Sequence, residues 1–281
     1  MASGARDPRA APAGNGDVTE AGLRFAAPNG AVLHHVVRPG PNRPVVFANS
    51  LGTDLRIWQA VVAGLGPQTP LLLWDKRGHG LSEEGPVDMA THAADLAGLM
   101  DLHGLTDALV CGVSVGGMIA LQLAADRPDL VAGLLLSNTG HRIGDAATWN
   151  ARIETVEREG IAAIADPILE RWLGPEYRAS NPAQMAGWRA MLTRTPAAGY
   201  TATCRAIRDA DLTEAARGIT VPTLCLAGSV DGATPPQLLR DLAELVPGAA
   251  YRCLEGVGHL PSIERPAEVA QMLKDLAERI A

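Results

Sequence analysis

Ser114 sits at the centre of Gly112-Val113-Ser114-Val115-Gly116, and a serine at such a spot can attack a carbonyl carbon. Its hydroxyl is a weak nucleophile until a base takes the proton and an acid orients that base. Only two histidines follow it, His141 and His259. His141 has no acid-bearing loop between itself and Ser114. His259 lies in Glu255-Gly256-Val257-Gly258-His259-Leu260-Pro261, where two glycines allow a sharp loop. Asp231 comes between, just past Leu224-Cys225-Leu226-Ala227 and flanked by Gly228 and Gly232. The order serine, acid, histidine suits acyl transfer, with Ser114 as nucleophile, His259 as base and Asp231 fixing the imidazole tautomer. The plainer reading makes Asp231 a solvated loop acid and His259 a loop-stabilising side chain. Glu264 and Asp241 read as surface acids.

Such a set works only if strands and helices hold it. Residues 107–113 form an apolar, β-branched run, and Met118, Ile119, Leu121 and Leu123 continue at helical spacing. A serine in the tight turn between strand and helix is strained, and Gly112 and Gly116 leave room for it. The oxyanion needs two N–H donors. Val115 follows the nucleophile, and Leu51 lies in the loop Asn49-Ser50-Leu51-Gly52 after an early strand. These are the expected oxyanion-hole residues.

Around this centre, residues 23–26 and 31–37 predict a hairpin about Pro28-Asn29-Gly30. Strands are expected at 44–49, 70–75, 129–137, 221–227 and 250–254. Helices are expected near 55–65, 91–104 (with Thr91 as N-cap), 236–246 and 266–280. The alternation implies an α/β fold with a mostly parallel sheet and helices on both faces. The rhythm breaks at residues 141–210, which hold no convincing strand and are cut into short helices by Pro167, Pro175, Pro182 and Pro196. The expected division is a core of residues 20–140 and 211–281, with a helical cap of 141–210 inserted over Ser114.

The chain has 281 residues, a formal net charge of -7 and 47% hydrophobic residues, enough for one large core. The acidic balance speaks against nucleic acid or an anionic membrane as partner. It also means that an anionic substrate needs a local cation. Cys111, Cys204, Cys225 and Cys253 show no metal-binding spacing, and no metal site is expected. Cys111, Cys225 and Cys253 fall in predicted strands as buried thiols, which fits a reduced, cytoplasmic protein. Residues 1–19 lack an apolar signal core and read as a disordered extension. His34 and His35 are expected at a surface or edge, and His92 and His103 on the exposed side of a helix. Arg77 and His79, in Asp75-Lys76-Arg77-Gly78-His79-Gly80, are expected to pin a loop.

From residue 23 to 280 the chain resembles the α/β-hydrolases, and within them the 3-oxoadipate enol-lactonases. The resemblance is carried by Phe47-Ala48-Asn49-Ser50-Leu51-Gly52-Thr53-Asp54, by Trp74-Asp75-Lys76-Arg77-Gly78-His79-Gly80-Leu81-Ser82 and by Cys111-Gly112-Val113-Ser114-Val115-Gly116-Gly117-Met118. Ser137-Asn138-Thr139, Arg142-Ile143-Gly144, Ile207-Arg208-Asp209-Ala210-Asp211-Leu212 and Asp231 before Pro235-Pro236 add to it. The chain departs from the pattern in its extension before residue 23, and His259-Leu260-Pro261 is common to many hydrolases.

The resemblance implies a small anionic lactone as substrate, opened through an acyl-serine intermediate without any cofactor. Arg142 is then the candidate for the substrate carboxylate, with a surface role as its other reading. Trp149 is a candidate for the pocket wall, against packing within the cap. A general carboxylesterase, a carbon–carbon bond hydrolase and a slow ligand-sensing receptor of the same fold are the alternatives.

Overall fold

The computed structural model describes residues 22–280. The extension expected at residues 1–19 lies outside them. The first strands, β1 (Gly22–Ala26) and β2 (Leu33–Arg38), form the expected antiparallel hairpin. β3 (Val45–Ala48), α1 (Gln59–Leu65), β4 (Leu71–Trp74) and α2 (Met89–Leu102) follow. Then come β5 (Ala108–Val113), α3 (Val115–Asp126) and β6 (Val131–Ser137). β3 to β6 are buried along their whole length. That is why their sequences run apolar without alternation, as strands covered on both faces do. Each large side chain there, such as Phe47 or Leu135, contributes about 1.5–3 kcal/mol by leaving water.

Six α-helices separate β6 from the next strand, the first five being α4 (Ala146–Glu159), α5 (Ala165–Trp172), α6 (Pro175–Ser180), α7 (Pro182–Thr193) and α8 (Ala197–Asp209). Pro175 and Pro182 each open a helix, where a missing N–H costs nothing. After α9 (Thr213–Arg217) the sheet resumes with β7 (Thr223–Gly228), α10 (Pro236–Leu245) and β8 (Ala250–Leu254). The chain closes with α11 (Pro261–Glu264) and α12 (Pro266–Arg279).

All eight strands join one sheet in the order β1-β2-β4-β3-β5-β6-β7-β8. β2 meets β4 antiparallel, and every pairing from β4 to β8 is parallel. The helices outside the 146–209 stretch pack in two sets, α1 with α11 and α12, and α2 with α3, α9 and α10. β3, β5, β6 and β7 all run the same way, so the loops after them gather at one edge of the sheet. Ser50, Ser114, Asn138 and Asp231 all lie in those loops.

Several local expectations need correction. Asp88, not Thr91, caps α2, its Oδ1 accepting the Thr91 N–H at 2.7 Å. His92 is fully buried, its Nε2 lying 3.4 Å from Thr203 Oγ1 on α8. His103 is half-buried and shares a 2.8 Å contact between its Nε2 and that of His35. His34 and His35 are buried as well, and His34 Nδ1 lies 2.6 Å from Asp75 Oδ2. Their strand β2 is covered, while β1 beside it is the sheet edge and leaves Arg24 and Phe25 exposed. Cys253 is exposed on the edge strand β8, whereas Cys111 and Cys225 are buried.

Candidate active site

β5 delivers Ser114 into a backbone that few residues accept, with φ 60° and ψ -123° at the N-terminus of α3. The two glycines around it answer close approaches. A Cβ at Gly112 would lie 2.2 Å from the Gly116 carbonyl oxygen, and one at Gly116 would lie 2.0 Å from that of Ala48. The turn is also tied across the sheet: Ser114 N–H donates to the Ser137 carbonyl at 3.0 Å, and Thr139 Oγ1 to the Ser114 carbonyl at 2.6 Å.

Asp231 and His259 meet as a pair, Nδ1 lying 2.9 Å from Oδ2, with both side chains buried. Asp231 is held by five donors in all. Oδ1 accepts the N–H groups of Ala233 and Thr234, and Oδ2 accepts Asn138 Nδ2, Thr234 Oγ1 and the imidazole. Burial pushes this carboxyl up, but His259 and the hydrogen bonds from Thr234 and Asn138 outweigh it and hold the group below the usual carboxylate range. An ionised Asp231 accepts only, so Nδ1 carries the proton and Nε2 keeps its lone pair.

The lone pair faces the cavity that Ser114 lines. Ser114 and His259 make no direct hydrogen bond; Nε2 instead stands 3.5 Å from Ser50 Oγ. Contacts of this kind often close only when a substrate is bound.

His259 is placed by a short loop that the 146–209 helices help to hold. Its N–H and that of Leu260 both donate to the Trp172 carbonyl at the end of α5. Glu264 is buried, contrary to the surface position expected of it, because its carboxylate accepts the N–H groups of Gly174 and Gly258. Burial raises its pKa while those two hydrogen bonds pull the other way.

The Asn49-Ser50-Leu51-Gly52 loop is held from below. Asn49 Nδ2 donates to the Trp74 carbonyl at 2.7 Å, and its Oδ1 accepts Trp58 Nε1 at 2.9 Å. Leu51 lines the cavity, and neither its N–H nor that of Val115 finds an acceptor among the described residues. Two free N–H groups near one serine are what a developing oxyanion requires. His79 and Arg77 pin loops as expected: His79 Nε2 accepts the Gly52 N–H at 3.0 Å, and Arg77 is bidentate to Asp95.

The cavity offers about 130 Å³ to water-molecule centres, room for a small molecule and not a polymer. Trp149, Arg152, Arg171, Trp172 and Tyr200 form the wall opposite Ser114, so α4, α5 and α8 supply that side. Trp149 is both packed and lining. Its Nε1 donates to the Ile143 carbonyl at 2.6 Å, and Arg152 Cζ lies 4.7 Å from the ring centre. Arg142 lies elsewhere. Its side chain is 64% exposed and turns outward to Asp211, with 3.4 Å between Nη1 and Oδ2.

Two cations occupy the wall in its place. Neither Arg152 nor Arg171 pairs with a carboxylate among the described residues. Sequence reasoning passed over both, although Arg152 stands three residues after Trp149 and so on the same helix face. It also left Asn138, Thr234 and Ser50 without roles, and only the strand-end position of Asn138 hinted at one.

Comparison with known proteins agrees with this fold. Two proteins from Acinetobacter baylyi, 3-oxoadipate enol-lactonase 1 and 2, are 32% and 31% identical to the chain. The alignments cover 86% and 80% of this chain and 91% and 85% of the relatives. The crystal structure of the enol-lactonase from Burkholderia xenovorans LB400 superposes with a TM-score of 0.87 at 36% identity, covering 91% of this chain and all of that one. The alpha/beta hydrolase family model matches residues 16–272, and with the strand order and elbow just described it follows that the chain belongs to the alpha/beta hydrolase family.

Proposed function

We propose that the protein is a serine hydrolase that opens 3-oxoadipate enol-lactone, a small anionic lactone, to 3-oxoadipate. The observation that carries this reading is the pair Arg152 and Arg171, two cations without acidic partners on the wall facing Ser114 and His259. In a chain of net charge -7, two such groups inside a small cavity suit a substrate that carries its own carboxylate. The enol-lactonase relatives at 31–36% identity support the same substrate class.

In this reading His259 Nε2 takes the Ser114 proton as Oγ attacks the ring carbonyl. The N–H groups of Leu51 and Val115 hold the oxyanion of the tetrahedral intermediate. Collapse breaks the ring C–O bond; the enol oxygen leaves, takes the proton from His259 and tautomerises to the ketone. Water, deprotonated by His259, then attacks the acyl-serine and releases the second carboxylate. Asp231 keeps the imidazole in the tautomer both steps need.

The test is incubation with freshly generated enol-lactone and chromatographic detection of 3-oxoadipate. Turnover of the lactone well above that of short p-nitrophenyl esters supports the reading. Ester turnover with an inert lactone would leave a general carboxylesterase instead.

A further inference from the structure

Of the chain's 24 basic residues, 22 are arginine; Lys76 and Lys274 are the two lysines. Lys76 is 1% exposed, one of the largest fully buried side chains of the protein. Its ammonium meets no carboxylate within ion-pair distance among the described residues. Nζ donates instead to the Ser50 carbonyl at 2.6 Å and lies 3.4 Å from that of Thr53. A buried ammonium with only carbonyl partners is expensive, and a methionine would fill the same channel without that cost. Packing therefore does not explain the lysine.

Its main partner does. The Ser50 carbonyl belongs to the same peptide unit as the Leu51 N–H, and in a trans peptide the two point in opposite directions. Anchoring the oxygen on the Lys76 side turns the Leu51 N–H away from it, toward the cavity that Leu51 lines. The two N–H groups that follow Leu51 are already engaged. Gly52 N–H donates to His79 Nε2 at 3.0 Å and Thr53 N–H to the Ser50 carbonyl at 3.3 Å. A cation on a carbonyl also draws electron density through the amide and makes its N–H a stronger donor.

We propose that Lys76 is a positioning residue for catalysis, its ammonium orienting and polarising the Ser50–Leu51 peptide so that the Leu51 N–H meets the oxyanion. This rests on the serine-hydrolase reading above. The effect falls on kcat rather than KM, since the oxyanion exists only beyond the ground state.

Charged neighbours define the pH dependence. Burial lowers Lys76 to about 7, opposed by Asp75 and Asp54. Asp75 is taken up by His34 and by the N–H groups of Leu55 and Leu81, and Asp54 by Arg56. From the other side His79 and His92 face the ammonium, and burial followed by the Lys76 charge keeps both imidazoles neutral. Lys76 is thus cationic below about pH 7 and loses the charge above it, so kcat falls to a lower plateau on the alkaline side. Stability moves the opposite way. The unfolded chain holds the extra proton between about pH 7 and the ordinary lysine value, so stability rises with pH across that window.

The experiment compares wild type, Lys76→Met and Lys76→Gln with p-nitrophenyl acetate, after counting active serines with a fluorophosphonate. For Lys76→Met at pH 6.5 we expect kcat to drop about tenfold or more at unchanged KM, no alkaline limb, and a Tm equal to or above wild type. Lys76→Gln retains a neutral donor and should fall between, also without the limb. It serves as the kinetic test if the methionine variant does not fold. Labelled, active wild type whose kcat and pH profile both variants reproduce would overturn the proposal for Lys76 alone. Wild type that neither reacts with the probe nor turns over ester would remove the hydrolase reading, and this one with it.

Discussion

Asn138 Nδ2 donates to Asp231 Oδ2 at 2.8 Å from the end of β6, and reaches the Gly258 carbonyl at 3.2 Å. One side chain thereby joins the loop of the acid to the loop of the histidine. Asn138 itself sits at φ 46°, a conformation asparagine tolerates better than most residues. Asn138→Ala should lower kcat by about ten- to a hundredfold with little change in KM, since a hydrogen bond to a charged group is worth about 1.5–3 kcal/mol. Steady-state kinetics on p-nitrophenyl acetate would check it. Unchanged kcat would make Asn138 a bystander.

Asp231 makes a second prediction, about stability. Its folded pKa lies below the ordinary carboxylate value, so its ionised form adds stability above that value and loses it as pH falls through the folded one. Asp231→Asn should therefore melt below wild type at pH 7, and the gap in Tm should close below about pH 4. Thermal melts across pH 3–7 measure this. A gap that widens in acid would reverse the sign.

Arg152 and Arg171 are expected to act on the charged substrate alone. Arg152→Ala or Arg171→Ala should raise KM for the enol-lactone about tenfold or more and leave neutral ester kinetics within about twofold. Arg142→Ala, whose side chain pairs with Asp211 outside the cavity, should leave both substrates unaffected. Equal losses on lactone and ester would take the two arginines out of carboxylate binding.

The elbow permits a structural check. In Gly116→Ala the new methyl would sit 2.0 Å from the Ala48 carbonyl oxygen, a backbone atom that cannot step aside. The expected cost is about 4 kcal/mol or more, seen as insoluble protein or a Tm lowered by about seven degrees or more. A variant melting with wild type would mean that the strand and helix sit further apart.

The sequence made the succession of strands and helices, the elbow and the position of Asp231 and His259 at strand ends readable, because each depends on local signals. Apolar runs mark buried strands, and glycines mark the turns that no side chain fits. Side-chain direction was harder to read. His34, His92 and Glu264 looked like surface groups because burial there is set by what packs over them: β4 and its loop, α8, and the end of α5. Arg142 drew attention because it follows β6, yet its side chain turns outward to Asp211. Arg152 and Arg171 looked like any other arginine on a helix until α4 and α5 were seen to line the cavity.

Mass spectrometry of the protein quenched during turnover of enol-lactone tests the covalent step at Ser114 most directly. Ring opening keeps the leaving group tethered, so the acyl-enzyme carries the mass of the whole lactone. The expected result is that mass on the peptide containing Ser114, absent from Ser114→Ala, with turnover in that variant lower by on the order of 10⁴ or more. Undiminished turnover by Ser114→Ala, or an adduct on another residue, would contradict it.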